Sequence, residues 1–432
     1  MPVTMILGLQ NGDEGKGRAV DYLASKNVDV VVRPGGGNNA GHTVVINDNK
    51  YKFHLIPSGV MAGVPCYLGN GMVIDAEVLF EEIKSLEKQG CDCSKIKISS
   101  QAHLILPTHK RLEEIEEEKR TKKIGTTKRG IGPTYADKAN RSGIRVGDCF
   151  LDDGTLTHII NVHLKAHEEK LKDEFSVDFL FSYLKDVRKY LGQYVIDNLS
   201  AVVNDHIFLK HKVLLEGAQG TLLDLDHGTY PFVTSSNPCA GGMCVGAGVG
   251  PTKIDSVIGV FKAYSTKVGE GPFPTELDCE IGEKLRQVGK EFGTTTGRSR
   301  RCGWLDLVAL KYAVQLNGVD YLVMTKMDIL DSFEEIKICT SYNSPALGNK
   351  QWPQFPTNNY LLETMHPEYI SIQGWKTDTT KIRSWKNLPI QAVAYINYIQ
   401  SFVGVPIVLV GVGEERDAIV PLDVVSQAIW KK

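Results

Sequence analysis

Two glycine-rich loops near the start of this 432-residue chain carry the residue types that phosphate and acid/base chemistry need. The first, Gly8-Leu-Gln-Asn-Gly-Asp-Glu-Gly-Lys-Gly17, follows an apolar run and opens a helical pattern. Glycines there let backbone N–H groups turn toward an anion, and a helix N-terminus favours negative charge. Lys16 can reach phosphate oxygens. The spacing is not that of a Walker A loop, and Gly17 stands where Ser or Thr would hold Mg²⁺. Asp13 is the candidate metal ligand instead, because Mg²⁺ takes a carboxylate together with substrate phosphates. The rival reading, a Rossmann dinucleotide site, lacks its G-x-G-x-x-G.

The second loop, Arg33-Pro-Gly-Gly-Gly-Asn-Asn-Ala-Gly-His-Thr43, follows a second apolar run. Three successive glycines permit close backbone approach to a ligand. A histidine in isolation is usually structural. His42, however, ends a ligand-type loop, and Asp13 ends the preceding strand. If the two strands are adjacent and parallel, both residues meet in one crevice as a base/acid pair.

The elements that must position these loops alternate. Strands are expected at Val3 to Leu9, Val28 to Arg33, Tyr321 to Met324, Ile336 to Thr340 and Pro406 to Val410. Helices are expected at Glu14 to Ser25, Ala76 to Lys88 and Gln391 to Val403, with a charged helical run at Leu112 to Lys123. Thr43 to Ile56 reads as a hairpin turned at Asn47-Asp48-Asn49, and residues 151 to 211 read as helical. This alternation predicts a largely parallel α/β sheet flanked by helices, with a P-loop-like site and small antiparallel and helical subdomains. The chain reads as one domain over 1–432, with no repeat and no linker.

Bulk composition sets bounds. Hydrophobic residues make up 42% and charged residues 23%, with a formal net charge of −2. No strong field favours nucleic acid or an anionic membrane. No stretch approaches the roughly 18 apolar residues of a membrane helix. The N-terminal run lacks a signal peptide's basic region and reads as the first strand. Nine cysteines without a CxxC pair read as reduced thiols of a cytoplasmic protein.

Six blocks, in order, give the chain a family resemblance. They are QNGDEGKG; GGGNNAGHT; Gly125-Thr-Thr-Lys-Arg-Gly-Ile-Gly-Pro-Thr-Tyr-Ala-Asp-Lys138; the stretch from Glu216-Gly-Ala-Gln219 to Thr234; the stretch from Lys262 to Glu276 together with Phe292-Gly-Thr-Thr-Thr-Gly-Arg-Ser-Arg300; and Thr325-Lys-Met-Asp328. Together they resemble the adenylosuccinate synthetases almost end to end. The resemblance implies a ligase that joins L-aspartate to inosine monophosphate (IMP) with GTP and one Mg²⁺ per subunit. Asp13 would take the N1 proton and ligate Mg²⁺ with the Gly41 carbonyl. His42 would assist attack of the 6-oxygen on the γ-phosphorus, with Lys16 and Gln219 completing the catalytic set. The 6-phosphoryl group would then leave as aspartate enters, in a reaction that needs mainly positioning and charge neutralisation.

The same resemblance distributes the ligands. GTP would meet Gly12, Glu14, Gly15, Lys16, Gly17, Gly41, His42, Thr43 and Arg300. Its base would meet Lys326, Met327 and Asp328, with backbone from Gly411, Val412 and Gly413. A carboxylate at 328 accepts from guanine N1–H and the 2-amino group, neither of which adenine offers. IMP would meet Asp13, Glu14, Gly15, Lys16, Asn39, Ala40, Gly41, His42, Thr127, Gln219, Thr234 and Arg298. Arg141 would enter the partner's IMP site in a homodimer. Aspartate would be enclosed by Thr294, Thr295, Thr296, Gly297, Arg298, Ser299 and Arg300, whose hydroxyls and guanidiniums suit a dicarboxylate. The chain departs from the family pattern at Asn11 (usually Trp), Arg18-Ala19 (usually Lys and a β-branched residue), Gly35 (usually Gln), Pro238-Cys239, Lys267 (usually Arg) and Ser142. These changes leave open how the shell around the catalytic pair is built. Retention of Asp13 separates the chain from a phage branch that aminates deoxyguanylate.

Overall fold

The central strand, Val3–Gly8, is buried along its whole length, as a parallel strand covered on both faces must be. In a computed structural model it lies inside a large sheet; the structure describes residues 3–46, 49–120, 126–293, 297, 299–345, 348 and 350–422. The strand order is Ile419–Pro421, Ile407–Gly411, Tyr321–Thr325, Ile254–Lys262, Val3–Gly8, Val213–Glu216, Val30–Gly36, Cys66–Ile74, Ile96–Ser99 and Val195–Ile196. His103–Leu104 pairs beside Cys66–Ile74. Every pairing is parallel except that of Ile419–Pro421. Two apolar clusters cover the two faces, one around Met5, Phe261 and Tyr395 and one around Ile6, Leu68 and Leu214. A smaller sheet pairs Glu335–Asn343 with His366–Gln373 antiparallel. No described helix is long and apolar enough to cross a membrane.

The expected α/β class is the one observed, and several elements match closely. Ala76–Lys88 is helical over the expected span; the Asp75 carboxylate caps it by accepting from Val78 N–H, which contributes about 1 kcal/mol. Four helices, Asp153–Ala166, Glu168–Leu171, Val177–Leu191 and Leu199–Phe208, occupy most of residues 151–211, with the edge strand Val195–Ile196 between the last two. The hairpin pairs His42–Ile46 with Asn49–Phe53, and its expected turn at residues 47 and 48 lies outside the described residues. The charged run belongs to a helix that begins earlier, at Pro107, and ends at Lys119, short of the expected Lys123, because Arg120 is extended.

Three differences bear on the site. The first helix starts at Lys16, not Glu14, because Gly15 is left-handed (φ 84°) and Glu14 folds back into the loop. The second strand runs Val30–Gly36, into the glycine loop, because Gly35 and Gly36 pair with Gly71 and Met72. Most consequentially, the first two strands are not neighbours. Val213–Glu216 lies between them and pairs with both.

Candidate active site

Loops after the parallel strands converge at their C-terminal ends, as ligand sites in such sheets do. They enclose a cavity of about 730 Å³, within the usual range for small-molecule sites.

The first loop is organised from inside by Glu14, which is fully buried. Its Oε1 accepts from the N–H groups of Gln10 (3.1 Å) and Gly12 (2.9 Å), and its Oε2 meets Lys16 Nζ at 2.6 Å. Thr325 Oγ1 donates to the Glu14 carbonyl at 2.6 Å, tying the loop to a distant strand. Glu14 therefore holds the loop rather than lining the cavity, and its backbone alone is left for a ligand. Asp13, with φ 58°, turns its carboxylate out to the cavity. A non-glycine residue held there costs about 1–3 kcal/mol. Asp13 Oδ2 lies 2.9 Å from Arg300 Nε, an ionic contact whose N–H is not aimed as a hydrogen bond.

His42 opens the hairpin, and its Nδ1 sits 2.6 Å from Glu216 Oε1. Glu216 is fully buried at the end of the intervening strand. Ser58 holds it, donating N–H to Oε2 (2.8 Å) and O–H to Oε1 (2.9 Å). Burial lowers the His42 pKa below its ordinary value; Glu216 opposes the shift, while Arg33 and Lys16 add to it. Burial pushes Glu216 up, but His42, Arg33 and Ser58 outweigh it and leave its pKa lowered. Both directions describe a neutral imidazole donating Nδ1–H to an ionised carboxylate, which leaves Nε2 for a ligand. From the loop after that strand, Gln219 (φ 57°) donates its side-chain amide to Asn39 Oδ1 at 3.2 Å.

On the opposite wall, Lys326 is left-handed (φ 59°), and its Nζ meets Glu291 Oε1 and the Gly289 carbonyl, each at 2.7 Å. Asp328 lines the cavity, and its buried Oδ1 has no hydrogen-bond partner among the described residues. Burial raises its pKa to about 6, with Arg18 pulling down and Asp331 up. Fully buried Glu291 also binds Tyr264 Oη (2.5 Å), Arg300 Nη1 (2.6 Å) and Lys262 Nζ (3.3 Å). Burial alone would raise Glu291; Lys262, Lys326 and Arg300 hold it far below the carboxylate range.

Of the other expected residues, Gly12, Gly15, Lys16, Gly17, Asn39, Ala40, Gly41, Thr43, Thr127, Thr234, Arg300 and Gly413 also reach the wall. Met327, Gly411 and Val412 are buried behind it. Gly297 and Ser299 are exposed and off the wall, and Thr294, Thr295, Thr296 and Arg298 lie outside the described residues. Arg141 stands exposed and left-handed at the end of Ile131–Asn140, away from this cavity. Asp13 and Gly41 offer a carboxylate and a carbonyl on one wall, an all-oxygen donor set that fits Mg²⁺ once phosphate oxygens join it. Elsewhere, His109, Asp137 and His163 converge in the interior. There the Leu106 N–H donates to His109 Nδ1 (2.9 Å), so Nε2 carries the proton it gives Asp137 Oδ2 (2.9 Å). That is a hydrogen-bond clamp between helices, not a cation cage.

Several departures from the family pattern answer one another. Lys267 Nζ donates to Asn11 Oδ1 and Thr229 Oγ1, both at 3.3 Å, so two altered positions pair. Burial lowers the Lys267 pKa to about 7. Beside Gly35, the Tyr135 hydroxyl accepts from Gly36 N–H (3.1 Å) and donates to the Gly71 carbonyl (2.8 Å), bracing the loop. Ser142 Oγ donates to Asp137 Oδ1 at 3.2 Å. Nothing in the structure explains Pro238. The sequence reading missed Glu216, Ser58 and Glu291 as site builders. For Glu216 a signal existed: an acid ending the apolar run Val213-Leu-Leu must be buried and therefore partnered.

A family model for adenylosuccinate synthetase matches residues 5–420. The chain belongs to the adenylosuccinate synthetase family. It is 49% identical to the adenylosuccinate synthetase of Carboxydothermus hydrogenoformans over 98% of this chain and 99% of that one. The Moorella thermoacetica protein of that name is also 49% identical, at 98% and 99% coverage. The fully ligated adenylosuccinate synthetase of Plasmodium falciparum superposes with a TM-score of 0.92 at 37% identity, covering 98% of this chain and 100% of that one. Cyanophage S-2L succinoaminodeoxyadenylate synthetase, at 19% identity and a TM-score of 0.63 over 97% and 95% of the two chains, shares the fold. Membership makes the chain an enzyme of purine biosynthesis, a ligase that makes adenylosuccinate from IMP and aspartate.

Proposed function

We propose that the chain phosphorylates the 6-oxygen of IMP with GTP and then exchanges that phosphate for the amine of L-aspartate. Asp13 accepts the N1 proton as the 6-oxygen attacks the γ-phosphorus, and the bond to the bridging oxygen breaks to release GDP. The aspartate amine then adds at C6, loses a proton, and phosphate leaves. His42, protonated at Nε2 from solvent as the substrates bind, donates that N–H to the negative charge gathering at the 6-oxygen and γ-phosphate, with Glu216 balancing the imidazolium. Gln219 orients the purine, and Lys16 meets phosphate oxygens once it leaves Glu14. Asp13 and the Gly41 carbonyl would hold Mg²⁺, which would supply charge neutralisation at the phosphates.

One observation carries the guanine reading: half-buried Asp328 faces the cavity, and its buried Oδ1 has no hydrogen-bond partner among the described residues. A donor pair such as N1–H and the 2-amino group satisfies it, while adenine leaves it unpaired. Lys16, Gly41, Thr43, Arg300 and Gly413 complete the GTP side; Asn39, Thr127 and Thr234 serve IMP. Arg300 serves aspartate with Arg298 and Thr294–Thr296, and in doing so gives up Asp13. Arg141, exposed outside its own cavity, serves the site of a second copy in a homodimer. The decisive assay follows the absorbance change from IMP to adenylosuccinate with GTP, Mg²⁺ and aspartate. Product formation at saturating substrates is expected, with GTP preferred over ATP. Its absence, or equal use of ATP, overturns the reading.

A further inference from the structure

Arg18 has no place in the reaction just described, yet it lines the same cavity as the residue that reads the base. It sits one position beyond the first loop's Gly17, in the first turn of Lys16–Ala24. Its side chain is 9% exposed, so its charge is nearly desolvated. Among the described residues, the one acceptor its guanidinium meets is the Gly413 carbonyl, through Nη1. The guanidinium packs directly against Gly411, where an added β-carbon would displace Arg18 Nη2. Asp328 is the first of the carboxylates that act on Arg18, with Glu414 next. The guanidinium thus ties the first helix to the loop Gly411–Gly413, on the cavity wall that also carries the base-reading carboxylate.

A guanidinium has five N–H donors in a planar fork, and one accepting carbonyl leaves most of them free toward the cavity. Guanine presents its 2-amino group, N1–H and O6 in a row along one edge. A carboxylate that takes the first two brings O6 next to whatever stands beside it. We propose that Arg18 is a specificity-determining residue that donates to the 6-oxo group of the nucleoside triphosphate, completing base recognition begun by Asp328. Adenine would turn its 6-amino hydrogens toward this cation and lose on both counts. The inference rests on the GTP reading above and extends it from two hydrogen bonds on the base edge to three. Lysine, a single compact charge, could not hold Gly413 and O6 at once with the same geometry.

The test compares GTP with 6-thio-GTP, which keeps N1–H and the 2-amino group but replaces O6 by a weakly accepting sulfur. Wild-type enzyme is expected to prefer GTP by roughly tenfold or more in kcat/KM, the size of a hydrogen bond to a charged group. Arg18→Met is expected to bring that preference to within about twofold, while Arg18→Lys keeps part of it. Equal losses for both nucleotides in Arg18→Met would overturn the proposal, since they would place Arg18 on the ribose or phosphates. So would a wild-type ratio near one, which needs no folded variant to measure. Asp328→Asn separates the two levels. If it abolishes GTP preference over ATP while Arg18→Met leaves the oxo/thio ratio unchanged, the GTP reading stands and this inference falls. If wild type does not prefer GTP over ATP, the reading beneath it has failed.

Discussion

His42 meets a carboxylate that is itself fully buried and held by Ser58, whereas Asp13, exposed on the wall of the same cavity, meets the buried Arg300. Glu216 has nowhere else to go, because removing its partner would strand a charge inside the sheet. It therefore fixes the tautomer and orientation of His42 before any ligand arrives. The Asp13 contact is made by a residue that also answers to Glu291, at 2.6 Å, and that borders the loop expected to enclose aspartate. That pair is open on one side only, with Asp13 a third exposed and Arg300 buried, and Arg300 keeps Glu291 when Asp13 is released. One partner is thus built in and the other is exchangeable, which suits a base that must be freed when substrates bind.

The comparison can be broken from either side. The largest effect is expected for Asp13→Ala, which removes base and metal ligand together: kcat should fall about 10³-fold or more with the fold intact. Full turnover with a native circular-dichroism spectrum would remove the assigned base. Next comes Glu216→Gln, a positioning change, with kcat falling about 10²-fold and KM nearly unchanged. Glu216 holds the His42 pKa up against burial. Its loss should therefore move any His42-linked limb of the pH profile to lower pH, and an unmoved limb would count against the dyad.

Asp328→Asn should lower kcat/KM for GTP roughly tenfold to a hundredfold and narrow the preference over ATP. The same carboxylate predicts a pH effect. Its pKa is raised to about 6, so it becomes protonated as pH falls through that value and can no longer accept both base donors. The GTP KM should rise by about tenfold per unit well below pH 6; a KM flat from pH 7 to 5 would contradict the site. The smallest effect is expected for Asn11→Ala. Lys267 would keep Thr229, so stability should drop by about 1 kcal/mol in a denaturation series and activity should change only a few-fold.

Local chemistry was legible in the sequence, and distant pairing was not. The glycine loops announce themselves because left-handed positions such as Gly12 and Gly15 need glycine. The Ala76–Lys88 helix shows because its cap and its apolar face lie within a few residues. The strand Cys66–Ile74 was invisible for the opposite reason. Gly69, Asn70 and Gly71 interrupt its apolar pattern so that Gly246 and Pro34 can press their backbones against it. Val213–Glu216 and Ile254–Lys262 went unread as strands too, and with the first of these went the reason His42 and Asp13 meet. Their loops converge across an intervening strand, not from adjacent ones. Contacts such as Ser58 with Glu216, 158 residues apart, or Arg18 with Gly413, 395 apart, leave no local trace.

The central claim is that Asp13 and His42 together let the 6-oxygen attack phosphorus. IMP labelled with ¹⁸O at the 6-position tests it most directly. Turnover with GTP and aspartate should deliver the label to inorganic phosphate, one atom per adenylosuccinate formed. Label recovered in water instead, with unlabelled phosphate, would mean that the oxygen left without ever being phosphorylated, and the assigned roles of both residues would fall.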